Sequence, residues 1–147
     1  MIVEELFETT IYPNLKKHVE NTSIYKPRVT KKQPQESKIF PIVPVKLLPI
    51  TNKYNNLSYG EETFDFGIEI DIYAQDQTID GKRVSKRTIC NEITNIVINY
   101  LKKNYHVIVK AEYDAINIDD SIHRNNIKIT CKLDTKYGLN NLVIYPN

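Results

Sequence analysis

Tryptophan is absent from this 147-residue chain, methionine occurs once, and there are only four glycines and two cysteines. Four scattered glycines leave no glycine-rich phosphate loop, which needs backbone free of Cβ atoms close to the phosphate. Two cysteines are too few for a disulfide framework. Cys90 falls beside Ile89 in a helical pattern and Cys131 lies on the apolar face of an alternating run. Both read as small buried hydrophobes rather than as a disulfide, a metal pair or a nucleophile, which suits a reducing cytoplasm. Arginine is scarce as well: of twenty basic residues only Arg28, Arg83, Arg87 and Arg124 carry the guanidinium fork that phosphate recognition favours. With a net charge of +2, this balance speaks against a dedicated nucleic-acid reader. No window approaches the ~20 consecutive apolar residues of a membrane helix. Glu4, Glu5 and Glu8 stand where a secretion signal needs positive charge, so no such signal is expected.

What is present reads as one domain over 1–147, with a core at 39–134, an N-terminal helical segment and loop at 1–38, and an extension at 135–147. Phe64, Phe66, Ile68, Ile70 and Ile72 alternate with Asp65, Gly67, Glu69 and Asp71, the period of a strand with one buried face. Asp80-Gly81 signals a turn. Ile89, Ile93, Ile96, Val97, Tyr100 and Leu101 then recur at helical spacing, which predicts an amphipathic helix over 84–103 lying on that apolar face. Asp80 or Ser85 is its candidate cap, Lys102 and Lys103 suit its C-terminal end, and Asn104 is a plausible left-handed stop. Two more alternating runs follow, one from Val107 to Tyr113 and one from Ile127 to Leu133, joined by a hairpin loop from Asn117 to Asn126. The fold class expected is α+β: an antiparallel sheet of about four or more strands, one long helix across one face, and an N-terminal helix.

The flanks are less regular. Leu6, Phe7, Ile11 and Leu15 are spaced for a helix, and Pro13 is expected to break it after Thr10 into two pieces joined by a turn. Residues 21–38 and 51–62 read as long loops. The apolar segment 39–50 is interrupted by Pro41, Pro44 and Pro49, which predicts an edge or bulged strand. Leu142, Val143, Ile144 and Tyr145 are too apolar to hang in water, so they add a strand at home or dock on a neighbouring copy.

Candidate chemistry is sparse. Asp65, Glu69 and Asp71 share one strand's polar face while Lys128 and Lys132 share another's, so neighbouring strands would pair them across the sheet. Carboxylates ~7 Å apart along a flat strand do not converge on a metal. Asp119, Asp120, Ser121 and His123 have the residue types of a hydrolase, yet they sit within one turn, where turn chemistry explains them equally well. His18 and His106 lack ligand spacing for zinc. Lys82, Arg83, Lys86 and Arg87 place positive charge at a helix start, which suits an acidic or phosphate-bearing partner or simply a solvated end. A small hydrolase and a nucleic-acid-binding module are therefore the alternative readings; no cofactor and no metal are expected.

The order of elements resembles a known family. The proline-broken Phe40-Pro41-Ile42-Val43-Pro44-Val45 precedes the strand ending Ile70-Asp71-Ile72-Tyr73, then a loop, one amphipathic helix, and a closing hairpin with Ile122-His123-Arg124. Over about residues 39–134 this resembles the tail terminator, or tail completion, proteins of long-tailed bacteriophages and related neck and minor tail components. The resemblance implies a structural, non-enzymatic virion protein, assembled in the host bacterial cytoplasm. It implies a homo-oligomeric ring, commonly a hexamer, that caps the tail tube, meets neck or head-completion proteins, and lets DNA pass without specific binding. The interface residues expected on that reading are Leu142, Val143, Ile144, Tyr145, Phe40 and Ile42. Asp65, Glu69 and Asp71 would face the channel, and the loops 21–38 and 51–62 would reach toward neighbours.

Overall fold

Three α-helices, one π-helical turn and nine strands are assigned among the residues that a computed structural model describes, 2–31, 39–48, 51–56, 61–104, 107–117, 121–134 and 143–145. Backbone placement alone is described for 51–56, 61–65, 107–117, 131–134 and 143–145. The fold is α+β. It differs from the expected sheet in one respect, a parallel edge.

The chain opens with α1 (Ile2–Leu6), a π-helical turn (Phe7–Ile11) and α2 (Tyr12–Thr22) in unbroken succession. The expected break at Pro13 does not occur, because the π turn precedes it and the amide of Tyr12 bonds the carbonyl of Phe7, five residues back. The wider turn makes room for a ring that would otherwise press on the preceding turn, and Pro13 enters as one of the first residues of α2. Val3, Leu6, Phe7, Ile11, Leu15 and Val19 form the buried stripe of this helical run.

The expected loop 21–38 contains β1 (Arg28–Thr30), which pairs in parallel with β2 (Ile42–Leu47). Parallel neighbours need a crossover of about a dozen residues, and the long connection supplies it. β2 is thus not the outermost strand along Ile42–Pro44 as its prolines suggested; Pro44, unable to donate, stands at the end of the β1 ladder. The second expected loop is likewise a strand, β3 (Thr51–Asn56), paired antiparallel with the start of β4 (Glu61–Ala74). A polar run such as Thr-Asn-Lys-Tyr-Asn-Asn has no apolar alternation to betray it.

β5 (Gln77–Ile79) and β6 (Lys82–Val84) form a small separate hairpin. Its turn is Asp80-Gly81, both with positive φ (51° and 78°), the two-residue turn whose twist matches a hairpin. Asp80 is therefore a turn residue rather than a helix cap. The cap of α3 (Lys86–Asn104) is Ser85, whose Oγ accepts from the Thr88 amide at 3.2 Å. At the other end the Asn104 side-chain amide donates to the Tyr100 carbonyl at 2.9 Å.

β7 (Val107–Asn117) and β8 (His123–Asp134) complete the body, and β9 (Val143–Tyr145) pairs with Lys132–Asp134 of β8. The order is β1-β2-β4-β8-β7, with β3 added to β4 and β9 to β8. Of the terminal segment, Val143–Tyr145 thus forms a strand at home; Leu142 lies outside the described residues. β4 and β8 pair continuously from Thr63↔Asp134 to Ala74↔His123. On both sides the outer partner changes near the Phe66↔Cys131 pair: β2 gives way to β3, and β7 to β9. The core lies between one sheet face and the helices. Phe66, Ile68, Ile70, Ile72, Val43, Val45, Ile127 and Ile129 pack with Ile89, Ile93, Val97 and Leu101 of α3 and with Leu15 and Val19 of α2. Cys90 is buried in the same layer, as its helical position predicted.

Candidate functional site

The face of the sheet opposite the helices carries the charges that sequence alternation assigned to it. Glu69 stands opposite Lys128 on one side and Lys46 on the other, and Asp65 stands opposite Lys132, so the expected cross-strand pairing of opposite charges is met in register. The side chains of Asp65 and Lys132 lie outside the described residues. Asp71 is held by side chains of β8. One of its oxygens accepts from Arg124 Nε at 2.9 Å, from Arg124 Nη2 at 2.8 Å and from Asn126 Nδ2 at 2.7 Å. Only 14% of the Asp71 side chain and 27% of the Arg124 side chain is exposed, so the pair is largely shielded from water. The guanidinium also lies 5.9 Å from the centre of the Tyr73 ring. Burial, the largest single influence, opposes charge on Arg124, but its hydrogen bond to Asp71 and the nearby negative charge of Asp71 and Glu69 together outweigh it and raise its pKa. Burial, then the negative charge of Asp71, pushes the Tyr73 phenol up. The face expected to be acidic is thus a mixed-sign surface on which the Asp71 carboxylate already has a cation.

The residues expected at an interface are divided. Ile42 is 2% exposed and already covered within its own chain, so it offers a neighbour no area. Phe40 is half-buried. Among the described residues, Ile39 and Ile24 are the large apolar side chains most exposed, at 65% and 68%.

His123 is not on a hairpin loop. It begins β8, pairs with Ala74 and is 1% exposed on the helix side of the sheet. Its Nε2 lies 3.2 Å from Asn125 Oδ1, and the Asn125 amide donates to Thr94 Oγ1 at 3.0 Å and to Asn91 Oδ1 at 3.1 Å. Cys90 Sγ donates to the carbonyls of Ile72 at 3.3 Å and His123 at 3.4 Å. Burial lowers the His123 pKa and pushes the Cys90 thiol up to about 12, so a neutral imidazole and an un-ionised thiol are favoured here. Such a histidine is a seam of polar packing between α3 and β8. Asp119 and Asp120, its proposed catalytic companions, lie outside the described residues, and Ser121 is exposed. His18 stacks on Tyr100 with centroids 4.6 Å apart, and His106 lies outside the described residues. Among the described residues no three His, Cys, Asp or Glu side chains gather as metal ligands. No helix among them is long and apolar enough to cross a membrane.

At the start of α3, Asp76 organises the basic cluster. Its carboxylate binds Arg83 Nη2 at 2.6 Å and the backbone amide of Lys86 at 2.7 Å, and these bonds lower its pKa. It neutralises one cation and answers a free amide of the helix end. Lys82 and Arg87 remain exposed. Asp76 gave no signal in sequence, since a cap ten residues ahead of its helix is visible only once the β5–β6 hairpin folds back. Tyr25, whose hydroxyl donates to Glu92 of α3, was missed for the same reason; that bond, then burial, raises its pKa to about 12.

Comparison of the chain with protein-family models gives no match, and comparison with curated proteins gives none either.

Proposed function

We propose that this protein is a structural subunit of the tail terminator kind: it forms a homo-oligomeric ring, commonly a hexamer, that caps a phage tail tube and meets the neck or head. The observation that supports the reading is the element order β2–β4–α3–β7–β8, a folded unit of sheet and crossing helix in the order on which the resemblance rests. The β4–β8 pair supports it further, because it runs past the helix-covered body and acquires β3 and β9 on its two sides. A sheet extended in this way supplies the projecting surface through which subunits of a closed ring can touch. In the ring, the face of Asp65, Glu69 and Asp71 turns to the channel. With Arg124, Lys128 and Lys46 interleaved, it presents paired charge rather than a basic groove, which lets DNA pass without holding it.

Negative-stain electron microscopy and native mass spectrometry of the purified protein test the proposal. Closed rings of uniform size are the expected result. A protein that stays monomeric at every concentration, with and without tail tubes, contradicts it.

A further inference from the structure

The outer edge of β1 is closed by side chains of α2. In a strand, the N–H and C=O of one residue point to the same edge and those of the next residue to the other. Arg28 donates its amide inward, to the Pro41 carbonyl at 3.0 Å, so Val29 turns both of its backbone groups away from β2. A donor and an acceptor side by side on a free edge are a template for another strand. Here both are taken. The Val29 amide donates to Glu20 Oε2 at 3.0 Å, and Lys16 Nζ donates to the Val29 carbonyl at 2.7 Å. The two side chains also bind one another at 2.8 Å, and the Tyr12 hydroxyl lies 3.4 Å from the same carbonyl. One helical turn apart on α2, Lys16 and Glu20 offer the donor and acceptor that a neighbouring strand would bring.

We infer that Lys16 and Glu20 act as a stand-in for a strand, closing the β1 edge against pairing with β1 of a second copy. The partner kept out is another copy of this chain, because the same short edge on two molecules is self-complementary across a two-fold axis. The inference does not depend on ring formation.

Hydrogen exchange at the Val29 amide and sedimentation velocity, each compared with the wild type at equal concentration, form the test. In the Lys16→Met/Glu20→Ala double variant, diluted to where it is monomeric, Val29 exchange is expected to accelerate by about ten-fold or more. Weight-average mass is expected to rise about two-fold over the wild type, reversibly on dilution. Glu20→Gln, whose amide oxygen still accepts from Val29, is expected to behave as the wild type. Unchanged protection of the Ile70 and Ile129 amides reports an intact fold. If the double variant loses that protection, Lys16→Met alone, which bares only the Val29 carbonyl, is held to the same mass criterion. Faster Val29 exchange with an unaltered mass distribution overturns the inference, as does association of Glu20→Gln equal to that of the double variant.

Discussion

Asp71 and His123 show two ways in which one strand pair stores polar groups. On the outer face, Arg124 and Asn126 give the Asp71 carboxylate hydrogen bonds in place of the water it loses. Truncating Arg124 to Ala leaves a poorly hydrated carboxylate with one neutral donor, which costs about 1–2 kcal/mol once partial exposure is discounted. Adding Asp71→Asn is expected to recover part of that loss in urea unfolding, and a coupling of zero would contradict the geometry. His123 stores a neutral imidazole on the inner face. Its folded-state pKa lies below the ordinary 6.5, so the unfolded chain binds the proton more readily. Stability from this residue is complete above pH 6.5 and is lost as pH falls through 6.5 toward the lowered folded value. His123→Gln is expected to flatten that part of the stability–pH curve; an unchanged slope between pH 7 and 5 would place the titration elsewhere.

Elements with a strong period were legible in the residues that form them. β4, α3 and β8 follow directly from alternation or helical spacing, and the pairing of opposite charges between β4 and β8 follows from their polar faces once the two are neighbours. The misses have physical causes. Pro13 is normally a break, but a π turn ahead of it absorbs the ring, and that device leaves no mark on hydropathy. β1 spans three residues, too short for any period, and β3 is polar throughout. His123 looked like turn chemistry because its neighbours Asp119, Asp120 and Ser121 do; its burial follows from the register that sets it opposite Ala74. The Lys16–Glu20 spacing was visible, whereas its object, Val29, required the chain to return after α2. β9 belongs at this scale too. Because Val143–Tyr145 pairs with Lys132–Asp134, truncation after Lys136 uncovers one β8 edge beyond β7. On the ring proposal it weakens assembly more than folding: rings by microscopy should be lost while the cooperative unfolding transition persists. Normal rings from the truncated chain would show that this segment is not a clamp.

At the scale of the whole molecule, we propose that α+β subunits build a closed ring around a channel lined by their charged sheet faces. That claim sets the helices and the Asp65–Glu69–Asp71 row on opposite sides of each subunit, since the two occupy opposite faces of one sheet. The closed β1 edge belongs to the same economy of surfaces, because an assembling protein must limit which of its edges can pair. The most direct measurement is a cryo-electron microscopy reconstruction of the purified assembly. The account predicts a closed ring in which Glu69 and Asp71 face the central channel and α3 faces outward; a persistent monomer, or a ring with that strand face turned outward, would contradict it.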